Sequence, residues 1–194
     1  YYSAIGLGFM LLEIVLVQRT VLFLGHPTAS VATTLAALLV GSGIGSALSG
    51  RPAGRARPVA TVVLAIALGL AWMLALELTR AALADGALAL PIAARAFVVV
   101  LAVAPLGVAL GVPFPAGTRV LVGAGEVAPS RLAWALGVNG FAGTLASLVA
   151  VPVAMVTGFR VVTWTAAAFY AIAAAVVVLV GISRSRRSAR PSKP

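Results

Sequence analysis

Apolar residues occur along this chain in long stretches, separated by short segments rich in glycine, proline and arginine. A helix needs about 20 mostly apolar residues to cross the hydrocarbon core of a bilayer. Six stretches reach that length, which predicts an all-α, polytopic bundle of six transmembrane helices. Glycines dilute the fifth stretch, so five or seven spans are the alternatives. The predicted helices are 4–24, 28–49, 59–79, 92–112, 132–156 and 161–182.

The breaks between these stretches carry turn and loop signals. Gly25, His26 and Pro27 predict a tight turn, and residues 50–58 predict a polar loop. The longest predicted loop is 113–131, where Pro113 and Pro115 must end or kink the fourth helix. The domain prediction is therefore a transmembrane bundle over 1–182 and a basic, disordered cytoplasmic tail over 183–194.

Composition supports the same class. Hydrophobic residues make up 62% of the 194 residues and charged residues 9%, against roughly 45–50% and about 25% in soluble domains. There is no cysteine, and four acidic residues with one histidine supply no convincing metal cluster or catalytic constellation. We therefore predict no catalytic residue, metal or cofactor in this chain. Its start at Tyr1, without methionine or a signal peptide, predicts a segment of a longer polypeptide.

The net charge of +10 is a topology signal, because the basic residues fall mainly on one side of the predicted bundle. Lysine and arginine accumulate on the cytoplasmic side of membrane proteins. We predict a multi-pass protein of a bacterial-type cytoplasmic (inner) membrane with both termini cytoplasmic, and no nucleic-acid partner. The cytoplasmic set is Arg51, Arg55, Arg57, Arg119, Arg131, Arg184, Arg186, Arg187, Arg190 and Lys193, and the outer set is Arg80, Arg95 and Arg160.

Glu13, near the middle of the first helix, is the first candidate binding or coupling residue. An acid at that depth costs about 2.5–3.5 kcal/mol on insertion scales, so it should face protein or water. Gly6 and Thr20 lie seven residues on either side, on nearly the same face. Three interpretations remain open: a structural acid bonded to another helix, a group that couples ions or binds substrate, and an inert protonated acid.

Arg19 is the second candidate. It lies about 120° around the helix from Glu13, which is unfavourable for a pair within the helix. It can snorkel to the outer interface or pair with another helix. Glu77 and Arg80, three residues apart, are expected to form a surface pair at the outer end of the third helix.

Asn139, the one amide deep in the fifth helix, completes the candidate set. Its two interpretations are a hydrogen bond between helices and a contact with substrate. Small residues at helical spacing predict close helix packing. These candidate packing residues are Gly41, Gly45, Gly137, Gly140 and Gly143.

Several motifs resemble the membrane part of the transmembrane spermidine-synthase-like proteins. They are GLGFMLLE at 6–13, QR at 18–19, LGHP at 24–27, the glycine- and serine-rich segment 41–51, GVPFP at 111–115 and WALGVNG at 134–140. The resemblance implies a longer parent with a Rossmann-like aminopropyltransferase domain, often described as fused to a major-facilitator-like transporter. That soluble domain is absent from this sequence, so no catalytic residue is carried over. Six helices suit half of a major-facilitator-type bundle, and the glycine-rich second and fifth helices suit a three-plus-three inverted repeat.

Two functions remain in competition. The first is a membrane module that transports a small metabolite, for which a cation is one candidate. The second is a non-transporting anchor or assembly subunit for a linked or separate soluble enzyme domain or another partner. Besides the lipid bilayer, other membrane helices that complete the bundle are expected partners. A water-filled cavity lined by Glu13, Arg19 and Asn139 favours transport, whereas a dry, fully packed bundle favours the anchor.

Overall fold

A computed structural model describes residues 1–87, 89–122 and 129–188 of the chain. These residues form an all-α bundle in which six helices are long and apolar enough to cross a membrane, which confirms the predicted fold class. No strand occurs among the described residues. The elements are α1 (Tyr2–Leu24), α2 (Pro27–Ser49), α3 (Pro52–Ala56), α4 (Pro58–Ala87), α5 (Ile92–Gly111), α6 (Pro113–Leu121), α7 (Pro129–Thr157) and α8 (Phe159–Ser188).

Two glycines make the tight turns between consecutive spans. Gly25 ends α1 with φ 75° and donates its backbone N–H to the carbonyl of Val21. Gly158, with φ 85°, separates α7 from α8. Positive φ is the left-handed conformation in which glycine has no steric penalty. Pro27 then begins α2, at a helix position where a missing N–H costs nothing.

The segment 113–131 differs from the predicted loop, because α6 occupies its first half. Pro113 stands at the first turn of α6, and Val112 keeps helical angles of φ −74° and ψ −42°. The N–H of Ala116 reaches the carbonyl of Val112 at 3.2 Å, so the chain continues helically across this junction. Residues 123–128 lie outside the described part.

Two other predicted irregular segments also contain helix. The polar loop after α2 holds the single turn α3, which begins at Pro52. At the other end of the chain, α8 continues to Ser188 and so enters the segment predicted as a disordered tail. Residues 189–194 lie outside the described part of the chain.

The most extensive helix contacts are α2 with α5 and α1 with α7. Both pairs run parallel. On α5, Gly107 lies against Leu38 and Gly111 against Ser42, so residue numbers rise together along the two helices. The same holds for Gly6 with Asn139 and Met10 with Gly143.

These two helix pairs correspond to each other when the first three spans are matched with the last three. In this matching α1 corresponds to α5, α2 to α7, and α4 to α8. The contact of α1 with α7 therefore corresponds to the contact of α5 with α2. The contact of α1 with α8 likewise corresponds to the contact of α4 with α5 and with α6, the helix that continues α5. Both of these contacts are extensive. These contacts follow the pattern of a three-plus-three inverted repeat, whereas the contacts of α1 with α2 and of α7 with α8 have no counterpart of similar extent.

The bundle has two chemically different ends. At the end where α1, α4 and α7 begin and α2, α6 and α8 finish, arginines predominate; we call it the basic end. The opposite, distal end carries the α1–α2 and α7–α8 turns. The arginines of the basic end that fall within described residues include Arg51, Arg55, Arg57, Arg119, Arg131 and Arg184.

Candidate functional site

A cavity of about 420 Å³ lies toward the basic end, between α1, α7, α8 and the α5–α6 junction, and it is open to the surface where Leu136, Gly140 and Thr144 are exposed. Its walls are mainly apolar, and its polar side chains come from Asn139, Thr144 and Tyr170. The Thr144 hydroxyl donates to the carbonyl of Gly140 at 3.0 Å. The Asn139 side chain makes no hydrogen bond with described residues, so its amide keeps its donors and its acceptor for another molecule.

Glycines explain both the close approach of α1 and α7 and the space between them. A side chain at Gly6 would overlap the backbone oxygen of Asn139, and a Cβ at Gly143 would lie 2.8 Å from Cγ of Met10. Gly140 lines the cavity and has nothing within 4 Å of the place where its Cβ would stand. The helices α1 and α7 therefore pack closely at Gly6 and Gly143 and leave a space at Gly140.

Glu13 lies beyond this cavity, on the face of α1 that carries Gly6. Seven residues are almost two helical turns, or about 10 Å along the axis. The parallel register that sets Gly6 against Asn139 brings Glu13 level with Ala146 of α7, a fully buried residue. The Glu13 side chain is half-buried. It has no hydrogen-bond or ion-pair partner among the described residues.

Arg19 is engaged elsewhere, in an ion pair with Glu77 of α4. The Glu77 side chain is 7% exposed and that of Arg19 is 23% exposed, so the pair crosses between helices inside the bundle. The Glu77 side chain is therefore buried, and not at the surface as expected from the sequence. Its expected pair with Arg80 stays a prediction, because the Arg80 side chain lies outside the described part. Spacing within one helix reveals neighbours three or four residues away, but not a partner on another helix.

The structure therefore separates the three candidate residues. Of Glu13, Arg19 and Asn139, Asn139 alone is among the residues that line the cavity. Sequence reasoning missed Tyr170, a buried aromatic residue on α8 whose ring lies 3.0 Å from the place of a Cβ on Gly8. Nothing in the sequence pattern distinguishes this tyrosine, because an aromatic residue in an apolar helix is ordinary core material.

The candidate packing glycines also divide into two groups. Gly41 and Gly45 lie against the backbone of α5, and Gly143 lies against Met10. Gly137 and Gly140 have no neighbour within 4 Å of the place where a Cβ would stand. Among the described residues nothing packs against these last two, because Gly137 lies on an exposed part of α7 and Gly140 borders the cavity. Helix packing at these two glycines therefore stays a prediction.

Three arginines tie helix ends together. Each donates a guanidinium N–H to a carbonyl in the last turn of another helix, where carbonyls lack partners within the helix. Arg95 reaches Phe23 at 3.0 Å at the distal end. At the basic end, Arg119 reaches Ser49 at 2.6 Å and Arg184 reaches Leu121 at 2.9 Å. These residues, which the sequence indicated as topology signals, also connect the ends of the spans.

Comparison of the chain with family models, curated proteins and solved structures finds no match.

Proposed function

We propose that this chain is a transporter-like membrane module and that Glu13 is its coupling residue. The observation that carries the proposal is the contrast between the two acids in its spans. Glu77 is buried in an ion pair, whereas Glu13 is half-buried and has no partner among the described residues. An ionisable group within a membrane span is costly and is by default a candidate functional group.

The surroundings of Glu13 support this role. A carboxyl group without a fixed cation can exchange a proton or bind a passing cation. The cavity beside Asn139 lies about 10 Å along the same face of α1, within the same α1–α7 interface. A small metabolite that enters from the basic end would meet the free amide of Asn139 before it reached Glu13. A cationic metabolite fits this order of groups best.

The setting of the module follows from charge and from the resemblance. We propose that the basic end faces the cytoplasm of a bacterial-type cell, with both termini on that side. The resemblance to the spermidine-synthase-like proteins adds a linked aminopropyltransferase-like domain on the same side. It also adds further membrane helices, with this bundle as half of a major-facilitator-like fold.

A second candidate function is a non-transporting anchor for such an enzyme domain. The observation that favours it is the separation of Glu13 and Arg19 from the cavity. The arginine contacts at both ends of the bundle also suit a rigid scaffold. In this alternative, Glu13 is a tolerated acid and the cavity is a packing defect.

Uptake by proteoliposomes that contain the full-length protein separates the two functions. Glu13→Gln keeps the shape and the hydrogen-bonding groups but removes the charge. We expect this variant to fold with an unchanged Tm and to lose uptake of labelled polyamines and other small cations. Glu13→Asp, which retains the carboxyl group, should recover part of the flux. Full flux with glutamine at this position would remove Glu13 from the mechanism, and no uptake by the unaltered protein would favour the anchor.

A further inference from the structure

A second concavity, distinct from the cavity beside Asn139, lies on the outer surface between α2, α4 and α5. This groove has a volume of about 540 Å³ and is largely apolar. It extends from Trp72 and Pro105 to Ser49 and Gly54 at the basic end. Leu64 and Leu68, both exposed, form much of its α4 wall.

The length of the groove matches one leaflet of a bilayer. Along α4 it runs from Thr61 to Trp72, which is about 16 Å at a rise of about 1.5 Å per residue. Half of a hydrocarbon core about 30 Å thick is about 15 Å. The groove therefore extends from the level of the lipid headgroups to the middle of the membrane.

Trp72 fixes the inner end of the groove. Its indole Nε1 donates to the carbonyl of Ala102 at 2.8 Å, one turn before Pro105 on α5. Small residues keep the rest open: Ala53, Gly54 and Ala109 are among those that line it. A Cβ at Gly54 would stand 2.7 Å from the carbonyl oxygen of Ser49, so the α3 turn lies directly over the end of α2.

The outer end of the groove is cationic. Arg51, Arg55 and Arg57 flank or form the α3 turn and are all exposed. Arg119 donates to the carbonyl of Ser49, a residue that lines the groove, and it interacts electrostatically with Arg55. No carboxylate among the described residues is paired with any of these four arginines.

We propose that this groove binds one phospholipid with an anionic headgroup, from the leaflet at the basic end. An acyl chain lies along Leu64, Leu68 and Trp72, and the headgroup phosphate is held between Arg55 and Arg119. An apolar channel one leaflet deep with clustered cations at headgroup level has the form and charge of such a lipid. The inference does not depend on whether the chain transports a solute.

Tryptophan fluorescence tests the site directly, because the chain has three tryptophans. Trp134→Phe with Trp164→Phe leaves Trp72, which is 39% exposed in the groove. The full chain is reconstituted in phosphatidylcholine vesicles with a small fraction of brominated-chain phosphatidylglycerol or, separately, the same fraction of brominated-chain phosphatidylcholine. We expect stronger quenching of Trp72 by the anionic lipid.

Matched variants test whether the preference of Trp72 for the anionic lipid depends on the arginines beside the groove. Removing one cation at an anionic surface reduces binding about fivefold, so Arg55→Gln should lower the preference of Trp72 for the anionic lipid by about that factor. Arg160→Gln, which removes an exposed arginine at the distal end, should leave it unchanged. A protein that retains Trp134, which is 69% exposed on α7, should show no preference.

Three quenching results would overturn the proposal. They are equal quenching of Trp72 by the two lipids, an equal preference at Trp134, and a preference that survives Arg55→Gln. Inorganic phosphate added at the same ionic strength as a chloride control should not release the lipid. Release by phosphate would show that the arginines bind a free anion and not a headgroup, which would also contradict the lipid site.

Discussion

The α2–α5 and α1–α7 interfaces are the two most extensive contacts of the bundle. Both are parallel helix pairs, but their helices pack closely over different parts of their length. Both helices of the α2–α5 pair contribute glycines, and at each one the partner occupies the place of the missing side chain. The α1–α7 pair closes in this way at Gly6 and Gly143, whereas Gly140 borders a cavity. The glycines of the closed pair are Gly41, Gly45, Gly107 and Gly111.

This difference separates an interface that is packed along its length from one that is packed only in part. Without a hydrophobic force between helices in lipid, close packing of small residues is a main source of association. In the α2–α5 pair, small residues pack closely along the length of the contact. In the α1–α7 pair this close packing is incomplete. The two groups without a partner among the described residues, Asn139 and Glu13, belong to these two helices.

Breaking the ion pair of Arg19 with Glu77 should have the largest effect on stability. Glu77→Gln leaves Arg19 inside the bundle without its partner, and loss of one member of a buried pair costs about 3–5 kcal/mol. We expect a strongly lowered Tm in detergent. Glu13→Gln is the control, because no partner is lost, and its Tm should change little. Equal destabilisation by the two variants would mean that Glu13 also has a structural partner.

Leucine substitutions at glycines test the closed and open interfaces against each other. A side chain at Gly45 would overlap the carbonyl of Val108, and overpacking of this kind costs about 1–3 kcal/mol or more. Gly45→Leu should therefore lower the Tm markedly. Gly140→Leu should be tolerated, because it extends into the cavity, but it should reduce uptake by filling that space. Similar melting temperatures for the two variants would show that the interfaces do not differ in packing.

The smallest effect is expected at the distal end, where Arg95 of α5 holds the last turn of α1 through the carbonyl of Phe23. Arg95→Gln removes a hydrogen bond that contributes about 1 kcal/mol. Arg160→Gln removes an exposed cation at the same end and should change the Tm less. A larger loss at Arg160 than at Arg95 would contradict the role of the carbonyl contact.

The sequence predicted the six spans to within a few residues at most ends, because apolar length is a local property. It did not predict α6, since Pro113 and Pro115 were expected to end or kink a helix, although proline also suits a first turn. It also missed the pair of Arg19 with Glu77, which lie 58 positions apart. The cavity could not be predicted, because Gly140 and Gly143 look alike until their neighbours are known.

Thiol labelling tests most directly whether water reaches the cavity beside Asn139. The chain has no cysteine, so Gly140→Cys and Gly43→Cys each provide a single thiol. Both glycines are exposed and have nothing within 4 Å of a side-chain position, but Gly140 lines the cavity and Gly43 does not. In nanodiscs, where both faces are open, a small water-soluble thiol reagent should label Gly140→Cys rapidly and Gly43→Cys slowly. Labelling of Gly140→Cys as slow as that of Gly43→Cys would show that the cavity is dry and would contradict the account.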